Sequence, residues 1–163
     1  MKTLKIIITN GFFPYALVLI WNMVLISQLP PAYGMKAFNA GIPAFILICE
    51  NVFRYISMSI PIFVKMNIHT AKGKIGWKIL LFGMVLYLTS WLMQIFAPGS
   101  TWSQSVWGFA APAYTVLIWT IGLGLMLDSY YFKLPYKKWH YLAPSLVFLF
   151  FHIYHTVYVF NRL

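Results

Sequence analysis

"IGWKILLFGMVLYLTSWLMQIF", residues 75–96, carries a single charge, Lys78, in 22 positions. A helix rises about 1.5 Å per residue, so a run this long crosses the ~30 Å hydrocarbon core of a bilayer. No proline interrupts it. It is apolar around nearly its whole circumference, the pattern of a helix with no face turned to water. Composition says the same of the whole chain. Of 163 residues, 61% are hydrophobic, 20% aromatic and only 9% charged. A soluble domain carries roughly 25% charged residues, so this chain lacks the means to cover itself with a polar surface.

Four further runs flank this one, at about 9–29, 38–64, 107–132 and 139–160. The expected fold class is an all-α integral membrane protein of five transmembrane helices, forming one domain over 1–163. The breaks have local causes. Pro30-Pro31 ends the first run, because proline removes a donor and restricts its predecessor. "MNIHTAKGKIG" (66–76) reads as a polar turn with a glycine break. "APGSTWSQS" (97–105) and "KLPYKK" (133–138) are further turns. The basic stretch 1–5 before an apolar run also describes a signal peptide. The run ends without a small-x-small pattern, so an uncleaved first span is expected.

Nine of the 12 basic residues fall at the N-terminus and in the second-to-third and fourth-to-fifth connections: Lys2, Lys5, Lys65, Lys72, Lys74, Lys78, Lys133, Lys137 and Lys138. The positive-inside rule then predicts a cytoplasmic N-terminus and an outer C-terminus, in a plasma membrane of bacterial inner-membrane type. The formal charge of +10 reads as a topology signal and as contact with anionic headgroups, with no nucleic-acid partner. Trp77, Trp102, Trp107 and Trp139 stand near the expected helix ends, as interfacial anchors do.

Only two residues are acidic, and one of them, Glu50, stands inside the second run as "ICENVFRY" (48–55). Arg54 follows one helical turn later on the same face. Charges at membrane depth cost roughly 2.5–3.5 kcal/mol each on insertion scales, so a functional reading is the default there. Asn51 and Arg54 share a neighbouring line. The third run offers Tyr87, Ser90, Trp91 and Gln94 on one face, and the fourth Pro112, Tyr114, Thr115, Trp119 and Thr120. Gly122 and Gly124 would admit a close helix. The fifth run holds His152 and His155, three apart.

These groups, with Asn22, map to similar depth and suggest an intramembrane polar cavity. The loop 97–106, with Trp102, is placed to cover it. The expected ligand-binding residues are Glu50, Asn51, Arg54, Ser90, Trp91, Gln94, Tyr114, Trp119, His152 and His155. No cofactor is expected. A haem or metal on His152 and His155 is the minor alternative, since haem needs a further histidine and a metal needs further ligands. Cys49 is the only cysteine, so no intrachain disulfide forms. Nucleotide-binding, zinc-protease and nucleophile-elbow motifs are absent from the sequence.

In size, span number and aromatic content the chain resembles the tryptophan-rich sensory (translocator) proteins. Their Trp-x-Pro-Pro type motif has no match here: "QLPPAYG" (28–34) keeps the proline pair without the tryptophan. No residue role is carried over. The leading functional expectation is a transporter or sensor binding a small aromatic or amphipathic ligand. The alternatives are a redox or metal-dependent enzyme subunit using His152, His155 and Glu50, and a non-catalytic accessory or immunity-type protein. A homodimer would supply the symmetry that one chain without a repeat lacks.

Overall fold

The computed structural model describes residues 6–163; the basic segment with Lys2 and Lys5 lies outside the described residues. The protein is mostly helical, at 72%. The helices are α1 (Phe13–Leu25), the short α2 (Met35–Asn39), α3 (Ala44–Ser59), α4 (Ala71–Phe96), α5 (Val106–Phe109), α6 (Ala111–Tyr114), α7 (Val116–Met126) and α8 (Trp139–Phe160). Among the described residues, three helical stretches are long and apolar enough to cross a membrane: Ala44–Phe63, Ala71–Phe96 and Trp139–Phe160. Two shorter apolar stretches accompany them, Phe13–Gln28 and Ala111–Met126. Their outward faces carry Phe45, Val52, Tyr55, Phe82, Val85 and Phe150 in the open. Exposed apolar surface of this extent is compatible with a membrane location.

Two elements differ from an all-helical reading. β1 (Val64–Met66) pairs antiparallel with β2 (Leu127–Tyr130), Val64 lying opposite Tyr130. On its other side β1 receives the segment before α1, with Gly11 donating to the Val64 carbonyl at 2.9 Å and Met66 to that of Thr9 at 2.7 Å. The fourth apolar run therefore leaves helix at Met126, short of residue 132. After Met126 the chain meets the free edge of β1 and takes the ladder instead, with the aromatic Tyr130, a residue type favoured in strands, opposite Val64.

The glycines of 66–76 do not break a helix. α4 begins at Ala71, where the Thr70 hydroxyl caps it by accepting from the Gly73 N–H at 3.0 Å. Gly76 is needed inside α4 for another reason. A Cβ on it would sit 2.6 Å from the Gly122 carbonyl of α7. A Cβ on Gly83 would lie 2.9 Å from the Trp119 Cα, and one on Gly122 2.7 Å from that of Leu80. Here α4 and α7 touch backbone to backbone, in the most extensive helix interface of the molecule. Gly124 faces elsewhere, against Leu142 of α8.

The fourth run is split into α5, α6 and α7, and Pro112 explains the first break. It has no N–H to give the carbonyl four residues back, that of Gly108. Gln94 of α4 fills the gap: its side-chain amide donates to the Gly108 carbonyl at 2.9 Å. The second large interface, α3 against α8, contains the charged residues.

Candidate functional site

Glu50 is almost completely buried, at 2% exposure, between α3 and α8. One of its oxygens, Oε1, is bonded by the Arg54 guanidinium and lies 2.9 Å from His152 Nδ1. The other, Oε2, lies 2.6 Å from His155 Nδ1. Arg54 Nη1 also donates to the Asn51 Oδ1 at 3.2 Å, and Asn51 in turn donates to the Leu47 carbonyl at 2.9 Å. Helical spacing builds this arrangement. Positions 50, 51 and 54 lie on one side of α3, and 152 and 155 on one side of α8, facing it. The second nitrogen of His155 reaches the Phe38 carbonyl at 3.0 Å, and Arg162 donates to the same carbonyl at 2.9 Å.

Beside this cluster lies a cavity of about 390 Å³. Arg54 and His152 stand in its wall; Glu50 and His155 lie behind them. α3 and α8 contribute Ser57, Met58, Phe148 and Thr156 as well. α4, α6 and α7 contribute Tyr87, Trp91, Ala113, Val116 and Trp119, and α1 contributes Tyr15, Val18 and Asn22. The walls are largely apolar and aromatic, with a few polar groups, which is how small-molecule sites are built. His152 stacks on Phe148 with ring centroids 5.2 Å apart, and the Arg54 guanidinium lies 5.5 Å from the same ring. Tyr15 bonds Tyr141 at 3.0 Å, and the Tyr87 hydroxyl donates to Asn22 at 2.7 Å. The indole N–H of Trp119 is buried with no acceptor among the described residues.

Of the ten residues expected from sequence, Arg54, Trp91, Trp119 and His152 line the cavity. Glu50, Asn51 and His155 support that wall from behind. Ser90 donates back to the Tyr87 carbonyl at 2.6 Å. Gln94 serves the Pro112 break, as described above. Tyr114 is half-buried and off the wall. The loop 97–106 does not reach the cavity, and Trp102 is exposed. The connection after α1 covers it instead, through Leu29, Tyr33 and Phe38. The Tyr33 hydroxyl donates to the Phe109 carbonyl at 2.8 Å, and the two rings stack at 4.5 Å.

No group of three or more His, Cys, Asp or Glu is placed to hold a metal among the described residues. The Nδ1 atoms of both histidines are taken by Glu50, and a guanidinium sits on the same carboxylate. At the β1–β2 end a second cleft holds Lys72, Asp128, Tyr136 and Lys138. Burial lowers the Lys138 pKa, nearby Lys72 adds to this, and Asp128 opposes it. Lys138 donates to the Leu125 carbonyl at 3.1 Å, which ties α8 to the end of α7. No protein-family model, no curated protein and no solved structure matches this chain.

Proposed function

We infer that this chain is a five-span membrane protein, cytoplasmic at its N-terminus and outer at its C-terminus. In this reading it binds a small amphipathic molecule in an intramembrane cavity, as a transporter or sensor. The observation that carries the reading is the cavity of about 390 Å³, aromatic on most sides and charged on one. Sites for small ligands have volumes of ~300–1,000 Å³ and this mixture of walls. The orientation is supported by the β1–β2 ladder, which gathers the two lysine-bearing connections at one end. The connection over the cavity, by contrast, carries only Lys36.

Two measurements test the reading. In a Cys49→Ala background, a single cysteine at Gln104 is expected to react with an impermeant maleimide on intact cells. One at His69 is expected to react only in inverted vesicles, and the reverse pattern would overturn the orientation. In lipid nanodiscs the protein is expected to bind naphthamide saturably. Ala113→Phe, which fills the wall, is expected to weaken this by about tenfold or more. Equal, non-saturating uptake by both proteins would refute a ligand cavity.

A further inference from the structure

The hydrogen bonds of the α3–α8 cluster fix its charge. Both nitrogens of His155 face oxygen acceptors, Nδ1 toward Glu50 Oε2 at 2.6 Å and Nε2 toward the Phe38 carbonyl at 3.0 Å. A carbonyl oxygen can only accept, so Nε2 carries a hydrogen and donates it. In a neutral ring Nδ1 would then be bare and would meet a bare carboxylate oxygen, lone pair against lone pair. One more proton therefore lies between them, on Nδ1 or on Oε2. Wherever it resides, Glu50 and His155 together carry no net charge.

With Arg54 paired to the same carboxylate, the cluster therefore carries one net positive charge. Its guanidinium is always protonated. Nη2 is held by Glu50 and Nη1 by Asn51, and its remaining hydrogens have no acceptor among the described residues. No second carboxylate is at hand, because the chain's other acid, Asp128, belongs to β2. Arg162, which shares the Phe38 carbonyl, adds a further positive charge. A cation in apolar surroundings calls for an anionic partner. Arg54 and His152 face the cavity, across it stand Tyr87, Trp91 and Trp119, and the Trp119 N–H lacks an acceptor.

We propose that the cavity selects an amphipathic anion, a carboxylate on an apolar body, with its acid group at Arg54 and His152 and its body among the rings. The proposal rests on the cavity being a ligand site. Arg54 is the specificity-determining residue, and Glu50 and Asn51 position its guanidinium. The planar fork suits a carboxylate, which can take two parallel N–H bonds.

The test uses the full chain in phosphatidylcholine nanodiscs, with calorimetry against empty discs. The probes are naphthoate, naphthamide and naphthylmethylammonium, which share one apolar body. Naphthoate is expected to bind about tenfold or more tightly than naphthamide, as a charge-assisted bond provides, and the ammonium weakest. Arg54→Gln is expected to remove the preference, so that naphthoate and naphthamide bind alike, and a cooperative melt followed by tryptophan emission checks separately that the variant is folded. Arg54→Lys, which keeps the charge but not the fork, is expected to fall between the two.

Equal binding of naphthoate and naphthamide by the unaltered protein would overturn anion selection and leave the ligand cavity standing. Binding of none of the three would overturn both. An unchanged naphthoate preference in Arg54→Gln would also overturn the assignment. Dodecanoate preloaded in the disc separates the sources of the same chemistry. Competition with naphthoate at low occupancy indicates a membrane-borne acid, and naphthoate binding that dodecanoate leaves untouched indicates a water-borne one; either outcome supports anion selection.

Discussion

Between α4 and α7 two backbones touch through glycine, whereas α3 and α8 are joined through a carboxylate, a guanidinium and two imidazoles. Both interfaces border the same cavity. The first would fail if a methyl group were added, and the second if a charge were removed. Lipid tails are as apolar as leucine, so helices in a membrane gain little from apolar burial. Close packing and polar bonds have to hold them together instead. In the proposed membrane setting, this protein divides the two means between its two walls. The glycine-packed wall contributes rings to the cavity lining, and the polar wall contributes Arg54 and His152.

The comparison can be broken from either side. Glu50→Leu is expected to have the largest effect, a loss of about 3–5 kcal/mol, because it breaks the buried Glu50–His155 pair and also takes the carboxylate from the half-buried Arg54. Melting in detergent, followed by tryptophan emission, would show it. Exchanging the charges, Glu50→Arg with Arg54→Glu, is not expected to restore the melting temperature, because both histidines would then face a cation. Full recovery would mean that the pair acts alone.

Gly83→Ala should come next, at about 1–3 kcal/mol, since its Cβ would press on the Trp119 backbone. The same melt would check it, and an unchanged midpoint would show that α4 and α7 have slack. Gln94→Leu would remove the side-chain donor to the Gly108 carbonyl at a cost of about 1–3 kcal/mol, with faster hydrogen exchange in α5 and α6 as the local sign. The smallest effect is expected from Tyr87→Phe, which loses one bond to Asn22 worth about 0.5–1.5 kcal/mol.

The charged wall could be read from sequence because helical spacing alone placed it. Glu50 and Arg54 share a face, His152 and His155 share another, and so few polar groups lie in the apolar runs that they had to meet. The cover over the cavity could not be read in this way. Tyr33 lies in a connection without periodicity and Phe38 in the short α2, and only the tertiary fold brings them over the site. The structural role of Gln94 is hidden from sequence for a related reason. Its partner is a carbonyl released by Pro112 on another helix, and no pattern within α4 announces that. The helix start at Thr70 was hidden by Gly73 and Gly76, which usually signal a break and here permit contact. Gly122 and Gly124 were rightly read as sites of close approach, but positions two apart differ by about 200° around a helix. They therefore serve two different neighbours, α4 and α8.

The bare backbone of α4 recurs at Gly76 and Gly83, seven residues apart. That spacing is about two turns, ~10.5 Å along the axis, with a drift of only ~20° around it. Two openings at one azimuth act as a keyway. Gly122 and the Trp119 backbone enter it at a single axial setting, because a slide of one residue would turn side chains of α4 into α7. The heights of Trp91 and Trp119 follow from that setting. The cavity's depth relative to Arg54 is thus gauged by residues that have no side chains and take no part in its lining.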